Sequence, residues 1–227
     1  MDILLVQYFC LIQSYDMAIS GHCDTSQKIL TTAESLFAEH GLNGVSLRQI
    51  TARAGVNLAA VNYHYYDKEA LCREIFIKRL RAINLTRLGD LTQAEARLAG
   101  SPVPLDEIIG IMSRPLFLSD SDPTGYNAAS RRLLGRIFCE PLPFTVEILA
   151  TELQPVMTRF GQAIRRHAPG LSPQDFIWRF SLVVGAMHHA MATLHDMKAR
   201  TNGVCRNDDP DGALRNFIIF AVQAFTP

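Results

Sequence analysis

Residues 29–76 read ILTTAESLFAEHGLNGVSLRQITARAGVNLAAVNYHYYDKEALCREIF. Ile29, Ala33 and Phe37, with Leu30 and Leu36 beside them, repeat at helical spacing and stop at Gly41. A scaffold helix is therefore predicted over 26–40, with Asp24 or Thr25 as its cap. Ser46 followed three residues later by Gln49 is a capping box, and behind it Leu47, Ile50 and Ala54 face inward until Gly55. A third, short helix opens at Asn57. Its inward stripe is Leu58, Val61 and Tyr65, which leaves Ala59, Ala60, Asn62, Tyr63 and His64 facing elsewhere. Asp67 then caps a long fourth helix carrying Leu71, Ile75, Leu80 and Ile83. Two short helices across an A-G-V turn, propped by a preceding helix, are the layout of a helix-turn-helix.

Outward from this stretch, apolar residues keep recurring at three and four, with almost no alternation at two and no repeat. The chain is read as all-α: an N-terminal three-helix head over 25–85 and a larger C-terminal helical bundle over 86–227. Between Arg87 and Pro104 the pattern gives no clear element. PVPLDE opens a helix with Asp106 and Glu107 at its positive end. SDSDPTG, 119–125, reads as a loop. Helices fit 127–139, 144–167 with a kink at Pro155, 172–199 and 211–225. Ser172, Pro173 and Asp175 form a clear start signal. Residues 1–24 open with a dozen apolar residues, MDILLVQYFCLI, that lack a basic leader region and a small-residue cleavage site, and this apolar run is too short to span a bilayer. They read as a disordered tail, an extra helix, or sequence upstream of a start at Met17.

The 227 residues are 48% hydrophobic and 19% charged, with 22 basic against 22 acidic, the composition of a soluble globular protein. Zero net charge argues against a surface coated all over by nucleic acid but permits a local basic face. From Asp24 to Arg81 eight basic residues stand against six acidic, a small excess. Five scattered cysteines without a C-x-x-C suggest neither a disulfide framework nor a zinc knuckle, which fits a cytoplasmic protein.

A recognition helix reads the major groove with short side chains near its start and with amides or guanidiniums that form paired hydrogen bonds. NLAAVNYH, 57–64, supplies that mixture. Asn62 can pair with an adenine edge, Ala59 or Ala60 can touch a thymine methyl, and Tyr63 and His64 can reach phosphate or sugar. Lys68, at the start of the fourth helix, is suited to clamp a phosphate, and Arg48 with Ser46 to hold the opposite strand.

Taken together, the A-x-x-L-F-x-x-x-G of the first helix, S-L-R-x-I, A-G-V, Y-H-Y-Y and D-K-E-A-L resemble the DNA-binding head of the TetR family of regulators. That resemblance implies that Ser46, Arg48, Leu58, Ala59, Asn62, Tyr63, His64 and Lys68 lie toward DNA. It also implies a homodimer joined through its last two long helices, and a ligand cavity beneath the head. V-N-L-A-A-V-N-Y-H, and the R-x-L-G-R-I-F-x-E-P run from Arg132 to Pro141, are similar to a branch that includes fatty-acid-responsive regulators.

On the last two helices Val184, Met187, Met191 and Leu194, and Leu214, Ile218, Ala221 and Phe225, form apolar stripes, and these are the expected dimer surface. Adaptable and aromatic residues on the body helices, among them Phe117, Phe138, Phe160 and Trp178 with Arg136 and His188 as polar anchors, are the expected lining of a cavity. Its ligand would be a small hydrophobic molecule, an acyl chain in particular, that lowers DNA affinity.

The rival constellations carry less. DSDPTG starts like a calcium loop, but its twelfth position is Arg131 rather than a carboxylate. His188, His189 and His195 lack the spacing of a metal site, so no metal or cofactor is expected. No nucleophile elbow, P-loop or dinucleotide fingerprint occurs, so no enzyme residue can be nominated. The expected function is a sequence-specific DNA-binding transcriptional regulator, a repressor that binds a near-palindromic operator and is released by its ligand. The alternative is a helical dimeric interaction protein that has lost operator or ligand binding.

Overall fold

The computed structural model describes residues 22–118, 127–139, 142–206 and 209–226, the side chains of 22–24 and of Ala60 excepted. Residues 1–21 of the expected tail, the loop expected over 119–125, and Glu140 and Pro141 of the R-x-L-G-R-I-F-x-E-P run lie outside the described residues. Every regular element among the described residues is a helix.

Helices α1 (His22–His40), α2 (Leu47–Ala54) and α3 (Leu58–Tyr65) pack with the start of α4 (Lys68–Arg97) as the head. Its core is Ile29, Ala33, Phe37, Val45, Ile50, Val61, Leu71 and Ile75, all buried. Burying one such side chain fully is worth roughly 1.5–3 kcal/mol, so a few of them are enough to set how the short helices pack. Helix α1 is already running at His22. Asp24 and Thr25 therefore lie inside it and do not cap it, because residues 22–25 contain neither Gly nor Pro to stop it.

Helix α4 fills the stretch that gave no clear sequence signal. Ile83, Arg87, Leu91 and Ala94 continue its buried face, and the helix ends where Ala99 and Gly100 turn left-handed. It passes through position 85 without a break, so head and body share one rod. Helix α5 (Leu105–Phe117) carries Asp106 and Glu107 in its first turn, and α6 (Ala128–Cys139) matches its expected span.

The helix expected over 144–167 is interrupted. It runs as α7 (Thr145–Ile148), a wide π turn (Leu149–Leu153) and α8 (Gln154–Arg165). Pro155 has no amide hydrogen for the carbonyl four residues back, and the widened turn accommodates that defect in place of the expected simple kink. Buried Asn84 on α4 donates its amide to the Glu152 carbonyl of this turn at 2.7 Å.

The segment expected as one helix over 172–199 is α9 (Pro173–Thr193), a 3₁₀ turn (Leu194–Asp196) and α10 (Met197–Arg200). Ser172 caps α9, its Oγ accepting from the Asp175 amide at 3.1 Å. The last helix, α11 (Pro210–Gln223), is capped by Asp209. In the body α5 packs on α4 and α11, while α6 lies between α1 of the head and α9. Gly135 sets how close α6 comes to α9: a Cβ there would stand 2.6 Å from the Ala192 backbone nitrogen.

Candidate nucleic-acid interface

Both ends of α2 are fixed locally. Ser46 sits in extended backbone, its hydroxyl oxygen accepts from the Gln49 amide, and Gln49 Oε1 accepts from the Ser46 amide at 2.8 Å. These two bonds satisfy amides that the first turn would otherwise leave open. Gly55 closes α2 with φ 67°, a left-handed value that a β-carbon resists.

Helix α3 is held by Val61, fully buried, and by Tyr65, whose hydroxyl lies 2.5 Å from Ser26 Oγ on α1. Burial pushes the Tyr65 phenol above its ordinary pKa, so it stays protonated. Leu58, read as an inward residue from its spacing, is 40% exposed. It starts the helix, one turn short of the cover that α1 gives Val61. This outward placement is the one the family resemblance assigns to it.

The side chains of Ala59, Asn62 and Tyr63 project to solvent, Tyr63 at 78% exposure, and His64 is half-buried. Ser46 and Arg48 are exposed at the start of α2. Lys68 is half-buried at the start of α4, where Asp67 Oδ1 accepts from the Ala70 amide at 2.7 Å. The structure thus brings the base-reading and phosphate-binding candidates to the outer surface of the two short helices and the start of α4. The backbone of Ala60 lies in α3, and its side chain is outside the described residues.

The six cavity candidates do not all come together. Phe117 and Phe160 are buried core residues. Phe138 is half-buried and stacks on His188 with ring centroids 3.8 Å apart. Arg136 lies over Gly41 at the end of α1, where its Nη1 would stand 2.6 Å from an added Cβ. Trp178 is 63% exposed, because it sits on the outer face of α9.

Sequence reading missed Arg87, which is buried in the middle of the body. Its Nε donates to the Met112 carbonyl at 2.6 Å and its Nη2 lies 3.9 Å from Met187 Sδ. Burial first, and then the Arg87 charge, hold His188 down to about 4, so its ring is neutral at ordinary pH. The clue was available in the sequence: a lone arginine at a position that continues the Leu80–Ile83 apolar stripe.

The expected dimer stripes need the same kind of correction. Met187, Met191, Leu194, Leu214, Ala221 and Phe225 are buried within one chain, and Val184 and Ile218 are half-buried, so these residues belong largely to the core of the single chain. Both helices are apolar on a second side, and it is there that Ile177, Trp178, Leu182, Ile219 and Phe220 stand exposed.

A propped helix-turn-helix on a larger helical body defines this as a helix-turn-helix protein of two parts. Residues 29–75 match the family model for bacterial regulatory proteins of the tetR family, and residues 111–224 match that for the tetracyclin repressor-like C-terminal domain. The chain belongs to the TetR family. The HTH-type transcriptional regulator AcrR of Shigella flexneri is 32% identical over 81 residues, which is 35% of this chain and 35% of that curated relative. Among solved structures, a tetR family transcription regulator from Shewanella sp. PV-4 superposes with a TM-score of 0.54 at 17% identity, over 85% of this chain and 96% of its own. TylP, a tetR regulator from Streptomyces fradiae, does so with a TM-score of 0.53 at 20% identity, over 92% and 89%. At these identities the likeness is one of fold. No described helix is long and apolar enough to cross a membrane.

Proposed function

We propose that this chain is a cytoplasmic transcriptional repressor that binds a near-palindromic operator as a homodimer and lets go when a small apolar ligand enters its body. Residues 25–85 are the DNA-binding unit and 86–227 the dimerising and sensing unit, with α4 common to both. The observation that carries the DNA-binding half is the exposed Ala59, Asn62, Tyr63 surface on a helix anchored from behind by Val61 and Tyr65. Short and amide side chains on a firmly held helix suit major-groove readout.

A single head covers too few base pairs for useful specificity, so two are needed, with half-sites about one helical turn or a multiple apart. The exposed apolar sides of α9 and α11, with Trp178 and Phe220, are the surface on which a second copy would pack.

For the sensing half, Phe138, His188, Arg87, Met112 and Met187 offer adaptable apolar packing around a cationic anchor, suited to an acyl chain with a polar head. Helix α6 touches the head through α1 and the body through α9, so a ligand that shifts it changes how the head is held. A 100-fold loss of operator affinity needs only about 2.7 kcal/mol of differential binding between the two states.

Selection of duplexes from a random pool with the full chain tests this reading. Enrichment of a near-palindrome is expected; no enrichment over many rounds would overturn it.

A further inference from the structure

We propose that Tyr66 is a DNA-backbone contact of this head, its phenol hydroxyl donating to a phosphate oxygen next to the half-site. This rests on the DNA-binding reading above. Tyr66 follows α3 and ends it, its amide donating to the Asn62 carbonyl at 3.2 Å. It does so in left-handed backbone, φ 65°, which Gly or Asn holds far more readily than a residue with a bulky side chain. Its side chain is 87% exposed. Backbone preference argues against a tyrosine here, and the core gains almost nothing from its ring. A strained position that keeps a large exposed side chain points to a role outside the fold.

Geometry narrows that role. Ala59, Asn62 and Tyr63 stand at i, i+3 and i+4 on the exposed side of the recognition helix, and Tyr66, the first residue past Tyr65, is exposed at its C-terminal end. Base edges are read from the N-terminal part of such a helix, which places its far end over the sugar-phosphate backbone. Tyr66 also leaves the helix axis there, and Lys68, a candidate phosphate clamp, stands two residues on. A phenol is a good donor to phosphate and, being neutral, displaces no counterion when it binds.

The test uses full-length protein, the duplex recovered by random selection and an unrelated duplex of the same length. Tyr66→Phe removes the hydroxyl alone. It is expected to weaken both duplexes by about tenfold, as for a lost hydrogen bond to a charged group, with melting temperature and salt slope unchanged. Tyr66→Gly relieves the backbone and should melt higher than wild type while binding no better than Tyr66→Phe. Binding by Tyr66→Phe within about twofold of wild type would overturn the assignment, and so would a loss confined to the selected duplex, which would make Tyr66 a base reader. Failure to recover any duplex would instead remove the DNA-binding reading, and this proposal with it.

Discussion

Arg79 on α4 and Glu34 on α1 form a buried two-pronged ion pair: Nε and Nη2 of the arginine donate to the two carboxylate oxygens at 2.8 and 2.6 Å. Ser130 Oγ on α6 donates to the same carboxylate at 2.6 Å. Three helices are thereby tied at the junction of head and body. Removing one charge strands the other in a poorly solvated place, whereas removing both does not. Arg79→Met is expected to cost about 3–5 kcal/mol in urea unfolding at fixed protein concentration, and Glu34→Met with Arg79→Met considerably less. Single losses that simply add up to the loss of the double variant would show that the charges are not coupled.

Asn62 and Lys68 separate readout from attachment. Asn62→Ala should cost about 1–3 kcal/mol on the selected duplex and little on random DNA, since a base edge loses its paired partner. Lys68→Ala should weaken both alike and flatten the dependence on salt by about one counterion. Fluorescence anisotropy at several salt concentrations distinguishes the two, and an Asn62→Ala loss of equal size on both duplexes would contradict base reading.

His188 makes stability pH-dependent in a defined direction. Its folded pKa is lowered from 6.5 to about 4, by burial and then by Arg87. Between those values the unfolded chain binds the proton more readily, so stability falls as pH drops from about 6.5 toward 4 and is fully present above 6.5. The group can contribute about 3 kcal/mol to that fall. His188→Phe should flatten the fall in a pH series of denaturation midpoints; an unchanged slope would mean that other groups cause it.

The two sides of α9 should respond oppositely to a charge. Trp178→Glu combined with Phe220→Glu alters exposed positions and is expected to give folded monomers in light scattering that no longer hold the selected duplex. Met191→Glu places a carboxylate at a buried position, so the chain itself should be destabilised. Dimers of wild-type affinity from the exposed pair would remove this surface from the dimer proposal.

Where local chemistry decides, the sequence was enough. The Ser46–Gln49 box, Gly55, Asp67 and Ser172 act within one turn of chain, and they place α2, α3, α4 and α9 at or near their expected starts. The outward Asn62 and Tyr63 were equally legible, because buried Val61 fixes which side of α3 faces in. Periodicity alone could not say which neighbour an apolar stripe meets. Met191 and Trp178 sit on one helix with similar apolar character, and only tertiary packing put the first against the core of its own chain and left the second outside. The same holds for polar residues: Arg136 went to Gly41 of the head and Arg87 to the centre of the body, because their partners lie far away in sequence. A stripe records that a face is buried, and what buries it is decided by helices from elsewhere in the chain.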